Sequence, residues 1–187
     1  VSIIMNCYNG ETYLHKSIQS ILDQTYKNWE LIFWDNRSED KSAEIFKSYQ
    51  DKRFQYFYSN KHTSLYEARN LAIEKSNGDF ISFLDTDDLW DKKKLELQMH
   101  YFNNYDVGVV YSNYWLIKTD IGKKKLSHKE KLPHGKIYEE LLKNYNVGIL
   151  TVIIRKSCYL KLEKKFDERF SIIGDFDLFL RLAKICI

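Results

Sequence analysis

FISFLDTDDLW, residues 80–90, is an apolar run that ends in three carboxylates, Asp85, Asp87 and Asp88. A short run rich in Phe and Ile reads as a buried strand, and its acidic end sets charge where the chain leaves the core. Similar runs precede it. VSIIM (1–5), ELIFW (30–34) and FQYFY (54–58) also read as strands. Between them, Leu14, Ile18, Ile21 and Leu22, then Ile45, Phe46 and Tyr49, then Ala68, Leu71 and Ala72 recur at helical spacing. Downstream the pattern predicts a helix with Leu95, Met99 and Phe102, strands over 107–117 and 147–154, and a buried helix in DFDLFLRLAKICI. Apolar strands alternating with helices predict an α/β fold with a mostly parallel central sheet flanked by helices.

The chain has 187 residues, enough for one domain, with 44% hydrophobic and 29% charged residues. Its net charge of +3 predicts no nucleic-acid partner, which needs a concentrated basic stripe. Two local clusters, DKKK (91–94) and GKKK (122–125), read as a solvated helix start and a solvated loop. Cys7, Cys158 and Cys186 are odd in number and set in apolar surroundings, as reduced core thiols of a cytoplasmic protein are. No apolar run approaches the ~18 residues of a membrane helix. One proline and seven glycines leave little room for a linker, so 1–187 is expected to be a single domain. It begins inside a strand pattern and stops inside a helix pattern, as a piece truncated at its C-terminus would. Residues 118–135 are polar and basic and predict a long loop or a frayed hairpin.

In an open α/β sheet, ligands sit outside the carboxyl ends of the strands. That directs attention to Asn6–Asn9, Asp35–Ser38 and Asp85–Asp88. Asp85 and Asp87 lie two apart and share one side of an extended backbone. Clustered like charges repel, and a divalent cation such as Mg²⁺ or Mn²⁺ removes the conflict. The competing explanation is a solvated acidic turn in which Asp88 or Asp91 caps the next helix. Leu89 and Trp90 stand where a calcium loop of the EF-hand kind needs polar ligands and glycine.

Five stretches in order along the chain resemble the family 2 glycosyltransferases of the GT-A fold, a Rossmann-like sandwich. They are VSIIMNCYNGETYL, QTYKNWELIFWDNRSED, EARNLAI, NGDFISFLDTDDLW and FDERFSIIGDFDLFLRL. The resemblance implies inverting transfer of a sugar from a nucleoside-diphosphate donor, a UDP-sugar, to a hydroxyl of a glycan or lipid-linked acceptor. It places the enzyme in surface polysaccharide synthesis, at the inner face of the membrane through a region beyond Ile187. Asn6, Tyr8 and Asn9 resemble the loop against the nucleobase, and Glu11 its acidic residue. Asp35 resembles the carboxylate that reads the base's ring NH. Asn36 and Arg37 stand where the family commonly has Asp and Gly. Arg69 resembles the arginine near the diphosphate. Asp85 and Asp87 match the DxD signature, with Asp87 as metal ligand, Asp85 as its partner and Asp88 as the third candidate.

Asp175 resembles the base that takes the acceptor's proton, although Gly174 replaces the Glu the family often has beside it. By pattern alone, an Asp after Gly at a helix start is also an ordinary N-cap. Two rivals remain at this stage. One is a binding module that holds a nucleotide or glycan without turnover. The other is an aspartate-dependent phosphotransferase with Asp85 as nucleophile. His62, His128 and His134 lack ligand spacing and read as loop residues, while Trp34 and Trp90 read as core and turn anchor.

Overall fold

The computed structural model describes residues 1–118 and 122–187. Its first half alternates strictly: β1 (Ser2–Cys7), α1 (Glu11–Leu22), β2 (Glu30–Asp35), α2 (Ser42–Ser48), β3 (Phe54–Tyr58), α3 (Leu65–Glu74) and β4 (Phe80–Phe83). Then come α4 (Lys94–Met99), β5 (Val109–Val110), β6 (Trp115–Lys118), β7 (Lys123–Leu126), α5 (Tyr138–Lys143), β8 (Ile153–Arg155), α6 (Lys156–Lys161) and α7 (Gly174–Ile185). Among the described residues the main sheet runs β3-β2-β1-β4-β8-β5. β1 pairs in parallel with β2 and β4, and β2 with β3, whereas β8 lies antiparallel between β4 and β5. The mostly parallel sheet covered by helices is the predicted architecture.

Successive residues of β1 serve two cores, as the period of two in a strand requires. Ile3 and Met5 pack with Leu14, Ile18 and Ile21 of α1 and with Phe33 and Phe46. Ile4 faces the other way, into a cluster with Ala68 and Ala72 of α3 and Leu178 and Leu182 of α7. Burying each large aliphatic side chain stabilises by about 1.5–3 kcal/mol, so a one-residue slip of β1 would be costly. Helix α3 starts at Ser64, whose hydroxyl accepts the Glu67 amide at 3.2 Å. That cap fixes where the helix begins, and hence where Arg69 falls.

The second half departs from its sequence pattern twice. The predicted strand over 107–117 is split: only Val109–Val110 joins the main sheet, and Trp115–Lys118 forms a separate hairpin with β7. Asn113 breaks the run, because its side-chain oxygen accepts the Tyr114 and His128 amides at 2.9 and 3.2 Å. Such local bonds compete with a ladder. The predicted strand over 147–154 is mostly a 3₁₀ turn, Ile149–Thr151, in which the Thr151 hydroxyl donates to the Gly148 carbonyl at 2.7 Å. Only its end becomes β8. Of the 118–135 segment, Lys118 and Lys123–Leu126 belong to the hairpin and residues 127–135 are irregular, while Thr119, Asp120 and Ile121 lie outside the described residues.

Candidate active site

The carboxyl ends of β1, β2 and β4 open on one edge of the sheet, and Cys7 lies in register with Asp35. The loops after β1 and β2 are stitched together. Asn9 and Gly10 donate their amides to the Ser38 and Ser42 hydroxyls at 3.1 and 2.9 Å. In return, Asn9 Oδ1 accepts the Glu39 amide and Glu11 Oε2 the Lys41 amide, at 2.8 and 2.9 Å. Gly10 is required here, since a Cβ would lie 2.8 Å from Thr86 Oγ1.

Asp35 is wholly buried. Its Oδ1 accepts the Ser38 amide and its Oδ2 the Tyr56 hydroxyl, both at 2.7 Å. The carboxylate therefore shapes the loop, and burial together with this bond raises the Tyr56 phenol. Asn36 ties down the segment before α3: its side chain bonds the Thr63 amide, hydroxyl and carbonyl. That places His62, whose ring lies 4.3 Å from the exposed ring of Tyr8. Pattern analysis dismissed His62, because nothing in its loop sequence announces an aromatic partner fifty-odd positions away (about the span of two strand–helix units). Asn6 Nδ2, at the end of β1, is a buried donor with no partner.

The acidic turn is braced from behind by α1. The buried Ser17 hydroxyl lies 2.6 Å from the Thr86 carbonyl and 2.8 Å from that of Asp88. Trp90 is buried and donates its indole N–H to the Leu150 carbonyl at 2.8 Å, as a turn anchor should. The three carboxylates have different fates. Asp85 receives Arg69 Nη2 at 3.0 Å on both oxygens. Arg69 is itself buried, its guanidinium 5.7 and 5.8 Å from the ring centroids of Tyr66 and Phe166, which stack on each other. Asp87 is exposed. The Asp88 carboxyl is pushed up to about 6, first by burial and then by the charges of Asp85 and Asp87.

The N-cap position of α4 belongs to Lys93, not to Asp88 or Asp91, and the Asp91 carboxylate accepts the Lys93 amide at 2.9 Å. Among the described residues, no group of three or more acidic, His or Cys side chains is gathered as a metal cage. Of the three candidate ligands, Asp85 is paired with Arg69. The remaining pair still fits a cation: Mg²⁺-type sites need only one or two carboxylates together with substrate phosphates, and positive charge would relieve Asp88.

Asp175 is not the N-cap of its helix. Ile173 holds that place with φ 59°, a left-handed conformation that is strained for a β-branched residue. Asp175 falls in the first turn, and its Oδ2 accepts the Tyr145 hydroxyl at 2.9 Å. Burial and the adjacent carboxylate raise the Tyr145 phenol, which stays a donor. Asp177 is engaged by Arg181 at 2.6 Å, one turn along the helix. The missing Glu also has a structural reason: a Cβ on Gly174 would lie 2.6 Å from the Tyr66 ring. The Gly174 amide donates to Tyr66 Oη at 2.7 Å. Tyr66 thus links the amide of Gly174, the chain neighbour of Asp175, to Arg69 and so to Asp85. An apolar cavity of about 600 Å³, between β5, α5 and α7, includes none of these residues.

A mostly parallel sheet flanked by helices is the architecture of the GT-A glycosyltransferases. The chain belongs to glycosyl transferase family 2, whose profile matches residues 2–162. It is 34% identical over 184 residues to the Escherichia coli UDP-Glc:α-D-GlcNAc-diphosphoundecaprenol β-1,3-glucosyltransferase WfgD, covering 98% of this chain and 70% of that protein. It spans 61% of a second E. coli protein of the same stated activity, WfaP, at 32% identity over 84% of this chain. The fold superposes on S. aureus TarS with a TM-score of 0.80 at 22% identity, over 97% of this chain and 33% of TarS. It also matches the Pyrobaculum calidifontis mannosyltransferase PcManGT, solved with GDP-Man and Mn²⁺, with a TM-score of 0.67 at 14% identity over 90% of this chain and 47% of that one. The phosphotransferase and pure binding-module alternatives are not favoured by this membership.

Proposed function

We propose that residues 1–187 act as the catalytic domain of an inverting glycosyltransferase, moving a sugar from a nucleoside-diphosphate donor of the UDP class to a hydroxyl on a lipid-linked glycan. Its place would be surface polysaccharide synthesis at the cytoplasmic face of the membrane. The observation that carries this reading is the chain of contacts from Asp85 through Arg69 and Tyr66 to the Gly174 amide, next to Asp175 in the sequence. It couples the carboxylates suited to a donor with a carboxylate suited to an acceptor.

Tyr8 and His62 form an aromatic wall suited to a nucleobase, beside the unpartnered Asn6 amide. Asn9, Glu11 and Asp35 hold that wall in shape. Asp87 and Asp88 would hold a divalent cation, Mn²⁺ or Mg²⁺, and Arg69 keeps Asp85 oriented beside them. When bound, the cation stabilises the negative charge that develops on the departing diphosphate. Asp175 takes the proton of the attacking hydroxyl from the opposite side, held in line by Tyr145. Supporting this division of labour, WfgD is named for a UDP-sugar donor and a diphosphoundecaprenol-linked acceptor.

Isothermal titration with UDP and GDP, with and without Mn²⁺, tests the donor assignment. UDP is expected to bind, more tightly with the metal. If neither nucleotide binds in the presence of Mn²⁺, the assignment fails.

A further inference from the structure

Among the described residues, β6 and β7 pair with each other and not with the main sheet. A lone two-stranded hairpin is marginal in water, so its side chains must find a use elsewhere. The register Trp115↔Leu126, Leu116↔Lys125, Ile117↔Lys124 and Lys118↔Lys123 sorts those side chains by face. One face carries Trp115, Ile117 and Leu126 with Lys124 near the turn, and the other carries Leu116 with Lys118, Lys123 and Lys125. Trp115, Leu116 and Ile117 are 59%, 51% and 47% exposed. All four lysines are exposed as well. The single carboxylate in the intervening sequence, Asp120, lies outside the described residues.

A solvated loop does not need an exposed Trp-Leu-Ile run, and an apolar patch edged by lysines is the signature of an interfacial surface. We propose that the β6–β7 hairpin docks on an anionic bilayer, with Trp115, Ile117, Leu126 and Lys124 against the headgroups and with Lys118, Lys123 and Lys125, on the far face of the two-stranded ribbon, attracted across roughly a Debye length. Charge selects this partner: lysines near an anionic leaflet are attracted within a Debye length, while the indole and aliphatic groups favour the headgroup boundary. The root of the hairpin also points to a use. Tyr114, immediately before β6, packs against Gly148 and neighbours Tyr145, the donor to Asp175. A docked hairpin would therefore hold Asp175 close to the lipid surface, a consequence that rests on the proposed lipid-linked acceptor. The docking itself does not.

The other tryptophans, Trp29, Trp34 and Trp90, are buried, so intrinsic fluorescence on vesicle binding reports chiefly on Trp115. With vesicles containing phosphatidylglycerol, a blue shift and co-sedimentation are expected, and with phosphatidylcholine alone neither. Neutralising charge in K123Q/K124Q/K125Q should lower partitioning about 100-fold, at roughly fivefold per lysine. W115S/I117S, read by co-sedimentation because the reporting indole is gone, should abolish the binding that survives 0.5 M salt (roughly where surface charges are screened within a few ångströms). Circular dichroism of both variants should match the unaltered protein, and their UDP–Mn²⁺ titrations should be unchanged, which separates this site from the donor site. Vesicle binding equal to that of the unaltered protein in both folded variants would overturn the proposal. So would absence of binding to either vesicle, or binding to duplex RNA in place of lipid.

Discussion

Asp85 and Asp175 end two lines of chain that are built in opposite ways. Asp85 leaves a regular parallel strand and is gripped by a buried arginine on a capped helix. Asp175 begins a helix after a left-handed isoleucine, and a single phenol from an irregular segment holds it. The first carboxylate is fixed by the core of the fold and the second by loops laid over it. A binding half that is rigid before the donor arrives lowers the cost of ordering it. On the proposed assignment, a reacting half carried on irregular segments leaves room for acceptors to differ among proteins with one sheet. Substitutions at the two positions should therefore separate turnover from stability.

The largest effect should fall on turnover. Asp175→Asn keeps the shape and the Tyr145 contact but removes the base, so kcat should fall by about a thousandfold with donor affinity and Tm unchanged. A sugar-transfer assay together with nucleotide titration measures both, and unchanged kcat would remove Asp175 from the chemistry. The converse holds at the rigid end. Arg69→Ala leaves Asp85 without its buried partner and should cost about 3 kcal/mol in urea denaturation, the lower part of the range because Asp85 reaches water. A loss below about 0.5 kcal/mol would mean that the pair does not organise the donor half.

Gly174 lies on the border between the two halves. A methyl group there would be forced into the Tyr66 ring, 2.6 Å from the glycine's Cβ position. Gly174→Ala should cost about 1–3 kcal/mol and also displace the start of α7. Transfer should then fall more steeply than donor binding, and equal losses in both would argue against a contact path running through Tyr66.

The same contrast governs what could be read without coordinates. From β1 to β4, apolar periodicity changes cleanly between strand and helix, and the acidic run after Phe83 marks the sheet edge by composition alone. Beyond Val110 the apolar runs are interrupted by bonds that no periodicity encodes: Asn113 onto its own backbone, and Thr151 onto Gly148. Tyr145 and Tyr66 were illegible for a further reason. Their roles come from hydrogen bonds to residues 30 and 108 positions away in the chain. An aromatic residue in an apolar run reads as core until the tertiary fold gives its hydroxyl a partner. Arg69 was legible as a functional cation, but its engagement with Asp85 was not.

The smallest predicted effect tests the third carboxylate. Burial and the charges of Asp85 and Asp87 raise Asp88 from 3.8 to about 6, so the folded state holds its proton where the unfolded chain has released it. Well below pH 4 both states are protonated and Asp88 costs nothing. As pH rises toward 6 the cost of ionising it in place accumulates, and above that it is complete. Asp88→Asn removes this cost, so the variant should match the unaltered protein near pH 4 and exceed it by about 1 kcal/mol at pH 7, after allowing for solvent screening. Mn²⁺ at pH 7 should narrow that gap, because an ion beside Asp87 and Asp88 offsets the repulsion only where both carboxylates are present. Denaturation at the two pH values, with and without Mn²⁺, measures all four terms. A gap that is unchanged by pH would place Asp88 outside the charge cluster, and one unchanged by metal would leave Asp87 as the only remaining ligand at the end of β4.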